Sequence, residues 1–172
     1  MEVLEHLKFT FYIDGITRDC LQELSRHDVG VAMTVRGTRF NNDSNIMKIT
    51  IPKEVLDDPT LLDKWLKLWS FSREVYQETK DKYGNDAAKG SLLGALQVRL
   101  YLSFDLLALM RFLSQRMCNR AYFDIQELAN HLYEIMELKF PMVIGEFSGT
   151  PCKVDRCRET KPCKNQYNKK GN

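Results

Sequence analysis

The stretch "LLGALQVRLYLSFDLLALMRFLS", residues 92–114, constrains this chain more than any other part of it. So much apolar surface has to leave water, and it is long enough to raise the question of a membrane span. Arg99, Asp105 and Arg111 interrupt it. Charges at three depths argue against a bilayer and for a segment buried in protein with polar features. Apolar residues lie nearly all round residues 92–113 when they are drawn as a helix, more than one layer of packing would cover, which predicts an oligomer.

Buried interior of that kind needs a domain around it, and 172 residues supply one of ordinary size. The net charge of +2 is unevenly placed. Residues 153–172 carry seven Lys/Arg against two Asp/Glu, an excess of +5, so the remainder is near −3. A body of that charge is not a nucleic-acid binder; the basic tail has the charge to touch anions, although such tails are more often simply solvated. The reading is one domain over 1–150 and a basic, cysteine-bearing tail over 151–172.

The opening residues "MEVLEHLKF" show neither a basic start nor an apolar run, and five cysteines is an odd number. Both features point to reduced thiols in the cytoplasm.

Leu7, Phe9, Phe11 and Ile13 alternate with Lys8, Thr10, Tyr12 and Asp14, which predicts a half-buried strand closed by Gly15. "ITRDCLQELSRH" follows as a helix with Thr17 as N-cap and an apolar stripe of Cys20, Leu21 and Leu24. "VGVAMTVRGTRF" is extended in character, and "IMKITIP" is a further strand after the polar turn "NNDSN". Helices are then expected over 60–83, over 86–117 with Gly90 and Gly94 as possible breaks, and over about 122–138, where Ile125, Leu128, Leu132 and Ile135 are in phase. Strands first and helices later predict an α+β domain: antiparallel strands in the N-terminal third packed with long helices in the C-terminal two thirds.

Several motifs in this order carry a resemblance. "LEHLKFTFYIDGITRDCLQELSRH" followed by "RGTRF", then "AKGSLLGALQVRLYLSFDLLALMRFLSQRMCNRAYFDIQELA", resembles the flavin-dependent thymidylate synthases over most of residues 2–163. The shared features are a Leu-Glu-His before a strand, a helix ending in Arg-His, an Ala-Lys segment, a Phe-Leu-x-x-Arg and a closing helix. "GTPCKVDRCRETKPC" is similar to the cysteine-bearing terminus of some members.

The resemblance implies methylation of dUMP to dTMP, with methylenetetrahydrofolate supplying the carbon and FAD, reduced by NADPH, supplying the hydride. It also implies a homotetramer whose active sites are shared between subunits. "RGTR" suits a phosphate on its own chemistry: planar guanidiniums, a hydroxyl and an unhindered glycine. The same residues in an exposed strand would simply be solvated. By similarity Gly37, Thr38 and Arg39 hold the dUMP phosphate, with Glu23, Arg26 and Lys89 as further contacts. Arg116 sits at the position that activates the substrate, where a fixed positive charge favours an anionic pyrimidine. Glu5, Arg26, His27, Val29, Asp105 and Arg111 fall on the FAD side, with His6 beside Glu5. His27 could equally be a structural residue closing a helix. Cys20, on the apolar face, reads as an inert thiol rather than a nucleophile.

The pattern departs from the family on the flavin side. Asp28 stands where the family has arginine, "VGVAMTV" replaces polar motif positions, and Asp105-Leu106-Leu107 replaces Asn-x-Arg. The segment that precedes this strand in the family, with its His-x-Ser/Thr, is not among these residues. A degenerate relative that binds a nucleotide or a partner subunit without turnover is therefore the second reading. Cys152, Cys157 and Cys163 are spaced too loosely for the usual zinc pairs, so no metal is expected.

Overall fold

A computed structural model describes residues 2–37, 47–144, 149, 150, 157, 160 and 163. In chain order they form a short 3₁₀ turn (Glu2–Glu5), β1 (Lys8–Thr17), α1 (Arg18–Leu24), β2 (Val31–Val35), α2 (Lys53–Leu56), α3 (Pro59–Tyr83), α4 (Asn85–Ala88), a second 3₁₀ turn (Lys89–Ser91), β3 (Gln97–Asp105), α5 (Leu106–Arg116), α6 (Phe123–Lys139) and α7 (Pro141–Ile144). The fold is α+β. Its three-stranded sheet has the order β1-β3-β2. Arg36 N–H donates to Arg99 O at 2.9 Å and Asp105 N–H to Gly30 O at 2.8 Å, so numbering falls along one strand as it rises along the other. The ladder is antiparallel.

The expected helix over 86–117 is not there. Its middle is β3, the central strand of the sheet, and helix resumes only at Leu106. Val98, Leu100, Leu102 and Phe104 alternate with Gln97, Arg99, Tyr101 and Ser103, and the first set contains three buried residues while Tyr101 is exposed. That is a period of two. The helical wheel drawn over 92–113 therefore does not apply to residues 97–105, and the expectation of an oligomer loses that argument.

Other elements match their local chemistry. Thr17 Oγ1 accepts the Cys20 N–H at 2.9 Å, the expected N-cap of α1. Gly15 does not close β1. Its φ of +102° lets the strand pass through a conformation other residues avoid, and pairing continues to Thr17. The segment expected as a strand at "IMKITIP" makes one antiparallel bridge, Ile49 to Leu96. α3 starts where Asp58 Oδ1 accepts from Thr60 N and Leu61 N, both at 3.0 Å, ahead of Pro59 at the first turn. It stops at Gly84, whose φ is +86°.

The chain divides into two compact units. The first comprises Met1–Phe11, Glu23–Met33 and Leu102–Asn172. Its interior is built from Phe104, Leu109, Phe112 and Leu113 with Ile125, Leu128, Leu132 and Met136, all buried. α5 packs on α6, and the Phe104 and Phe112 rings lie 5.2 Å apart. The buried stripe of α6 ends on Met136 rather than Ile135, which is 47% exposed. A 3.6-residue period reaches 136 after 125, 128 and 132. The second unit comprises Tyr12–Gln22 and Thr34–Tyr101. There Trp69 and Tyr76 of α3 cluster with Ala88, Leu92 and Leu96. Among the described residues no helix is long and apolar enough to cross a membrane.

Candidate functional site

Four residues expected to touch ligands converge within the first unit: Glu23 at the end of α1, Arg26 and His27 in the turn after it, and Arg116 in the last turn of α5. The turn is fixed by its backbone, with Arg26 N–H donating to Glu23 O at 3.3 Å and His27 N–H to Leu24 O at 3.0 Å. Buried Leu24 anchors the helix beneath it. His27 therefore lies beyond the helix rather than in it.

Arg116 is the hub. Its Nε–H donates to His27 Nε2 at 2.9 Å, and its Nη1 lies 3.0 Å from Glu23 Oε2. Its side chain is only 19% exposed. The same carboxylate reaches Arg26 through Oε1, at a looser 3.9 Å. One carboxylate lies between two guanidiniums, an arrangement that suits an anionic ligand at the guanidiniums, with exposed Asp28 next to His27 as an opposing charge. A guanidinium has five N–H donors, and among the described residues Arg116 Nη2 has no partner.

His27 sits edge-on to Phe112, with ring centroids 5.2 Å apart and planes at 78°. Burial first, and the Arg116 charge second, hold its pKa below the ordinary 6.5, against the opposing pull of Glu23 and Asp28. It is neutral at pH 7, and accepting at Nε2 places its proton on Nδ1. Phe112 was not anticipated, although it stands four residues before Arg116 and so shares its helix face.

The remaining candidates are placed otherwise. Asp105 is the N-cap of α5, its Oδ1 accepting the Ala108 N–H at 2.7 Å. Gly30, with φ +73°, packs its Cα against that carboxylate and the Ala108 methyl. Val29 and Arg111 are exposed, and so is Glu5, whose 3₁₀ turn packs on α5. Lys89 belongs to the second unit and pairs with Asp86 Oδ1 at 2.9 Å. Gly37 is also in the second unit, exposed beyond β2. Thr38, Arg39 and Cys152 lie outside the described residues. Cys20 is fully buried, as an inert thiol would be. Among the described residues no cluster of His, Cys, Asp or Glu could hold a metal ion.

Of the residues expected on the FAD side, the exposed guanidiniums of Arg26 and Arg111 and the Nδ1–H of His27 have the donor chemistry an anionic, ring-bearing cofactor would need. The carboxylate of exposed Asp28 would oppose a pyrophosphate beside it, while that of Asp105 is occupied as a helix cap.

A family model described as thymidylate synthase complementing protein matches residues 1–142. A flavin-dependent thymidylate synthase of Thermococcus onnurineus is 31% identical over 130 residues, 74% of this chain and 53% of its own. One from Campylobacter jejuni is 31% identical over 149 residues, 77% of this chain and 67% of its own. The chain thus spans about half the length of the archaeal relatives it matches. In fold it is similar to a flavin-dependent thymidylate synthase from Helicobacter pylori solved with FAD and dUMP. The TM-score is 0.67 at 23% identity, covering 86% of this chain and 76% of that one.

Proposed function

The chain belongs to the flavin-dependent thymidylate synthase family, and from that membership we propose that it methylates dUMP to dTMP. The carbon comes from methylenetetrahydrofolate and the reducing equivalents from NADPH. The observation that carries this reading is Arg116, held at two of its nitrogens by His27 and Glu23 while its third nitrogen has no partner among the described residues.

In this reading dUMP brings its phosphate to Arg26 and its pyrimidine to Arg116, while the Glu23 carboxylate accepts from a substrate N–H or O–H. A fixed, largely desolvated guanidinium stabilises negative charge developing on the pyrimidine, which removes the need for a cysteine nucleophile. Family membership alone assigns phosphate contacts to Gly37, Thr38, Arg39 and Lys89. Glu5, Arg26, His27, Val29, Asp105 and Arg111 form the flavin side, with Asp105 acting there through the helix it caps. FAD, when bound, supplies the hydride that completes the methyl group. A homotetramer with shared sites is part of the proposal and rests on family membership alone.

The test is incubation of the purified chain with dUMP, methylenetetrahydrofolate, FAD and NADPH, with dTMP read by chromatography. Formation of dTMP that disappears in Arg116→Ala supports the reading. dUMP binding without dTMP favours the second reading, a relative that binds nucleotide without turnover, for which exposed Asp28 and half-buried Leu107 speak. No binding of dUMP overturns both.

A further inference from the structure

We propose that His27, neutral and protonated on Nδ1, is a positioning residue that aims Arg116 by accepting its Nε–H. The proposal rests on the reading above for what Arg116 does, and goes beyond it in giving His27 a role toward Arg116 besides its place on the flavin side.

Three observations in one unit carry it. The Nε–Nε2 distance of 2.9 Å is that of a well-formed hydrogen bond. The imidazole cannot turn without losing its edge-on contact with buried Phe112, which comes from the same helix face as Arg116. Its main chain is pinned by the bond from its N–H to Leu24 O at 3.0 Å. A ring held by packing on one side and by backbone on the other offers a fixed acceptor. Glu23 supplies the second hold, at Nη1. An arginine side chain has many rotamers, and two acceptors on different nitrogens leave its plane little freedom. Only a neutral imidazole can do this, because a protonated one has no lone pair for Nε–H. The charges that bear on it are Arg116 from α5, Glu23 from α1 and Asp28 beside it in the chain. Arg116 acts with burial to favour the neutral form.

The experiment is side-chain ¹⁵N NMR on the full chain without ligands at pH 7.5, followed by two variants. An imidazole bearing hydrogen on Nδ1, with a slowly exchanging Arg116 Nε–H, is expected. A proton on Nε2 would overturn the proposal. His27→Gln keeps an acceptor near the Nε2 position, whereas His27→Leu removes it. The Arg116 Nε–H should stay protected from solvent exchange in the first and lose protection in the second. The affinity for dUMP should fall about ten-fold in His27→Leu, the equivalent of ~1.4 kcal/mol, and much less in His27→Gln. Equal losses in both variants, or none in the Leu variant, would sink it. If His27→Leu does not fold, the wild-type tautomer and His27→Gln still decide. If wild type does not bind dUMP, the proposed function fails, while tautomer and exchange still judge the hold on Arg116.

Discussion

Glu23 Oε2 lies 3.0 Å from Arg116 Nη1, although 92 residues (116 − 23 = 93 steps) separate them in the chain. One is 32% exposed and the other 19%, so the pair is neither freely solvated nor sealed from water. Such a pair holds geometry more than it adds stability.

Replacing Glu23 by alanine leaves Arg116 with His27 as its remaining partner among the described residues. We expect a loss of about 1 kcal/mol in unfolding free energy, because a partly desolvated charge gives up its strongest partner. Glu23→Gln keeps a hydrogen-bond acceptor and should lose less. Urea titration followed by circular dichroism reads both, and identical midpoints for wild type and Glu23→Ala would contradict the assignment.

Asp105 serves α5 as its cap, so alanine there should cost about 1 kcal/mol and asparagine almost nothing, since both Asp and Asn cap well. Gly30→Ala should cost more than about 1 kcal/mol. It combines a positive φ with a methyl group driven into Asp105 and Ala108. Thermal unfolding of the three variants checks the order, which would be wrong if Asp105→Asn proved the most damaging.

Stability should depend on pH through His27. Its folded pKa is lowered from 6.5, so between the two values the unfolded chain binds more protons than the folded one. The contribution is present above 6.5 and is lost as pH falls from there toward the folded value. His27→Gln has no such group, so its stability should fall less between pH 7.5 and pH 5.5 than that of wild type. Parallel denaturation curves for the two proteins at both pH values would remove the basis for this expectation.

Flavin retention should be weak. Asp28 is exposed, so its repulsion of a pyrophosphate is on the order of 1 kcal/mol, near the aqueous end of the Coulomb scale. Leu107 forfeits a charge-assisted contact worth roughly 1.5–3 kcal/mol. The purified chain should be largely colourless, and Asp28→Arg with Leu107→Arg should raise its yellow absorbance. A wild-type protein that elutes bright yellow would show the electrostatic argument to be wrong.

Much of this was legible in the residues. Thr17 as a cap and the helix over 60–83 rest on short-range signals, where sequence and geometry are nearly the same thing. Ordered motifs marked Glu23, Arg26 and Arg116 as substrate-side candidates and Arg26 and His27 as flavin-side ones. The period-two pattern of Val98 to Phe104 was also in plain view, but a run of apolar residues with helix formers after it reads as one helix.

What the sequence by itself determined was therefore local and categorical: which segments hide from water, where helices start and stop, which side chains carry the chemistry. The tertiary structure decided that residues 97–105 pair on both edges as the central strand, because a strand's hydrogen bonds go to partners distant in sequence. It likewise decided that Asp105 spends its carboxylate on α5 and that His27 accepts from Arg116. A hydrogen bond between residues 27 and 116 leaves no local trace in either segment. It exists only once packing has brought α5 against the turn after α1.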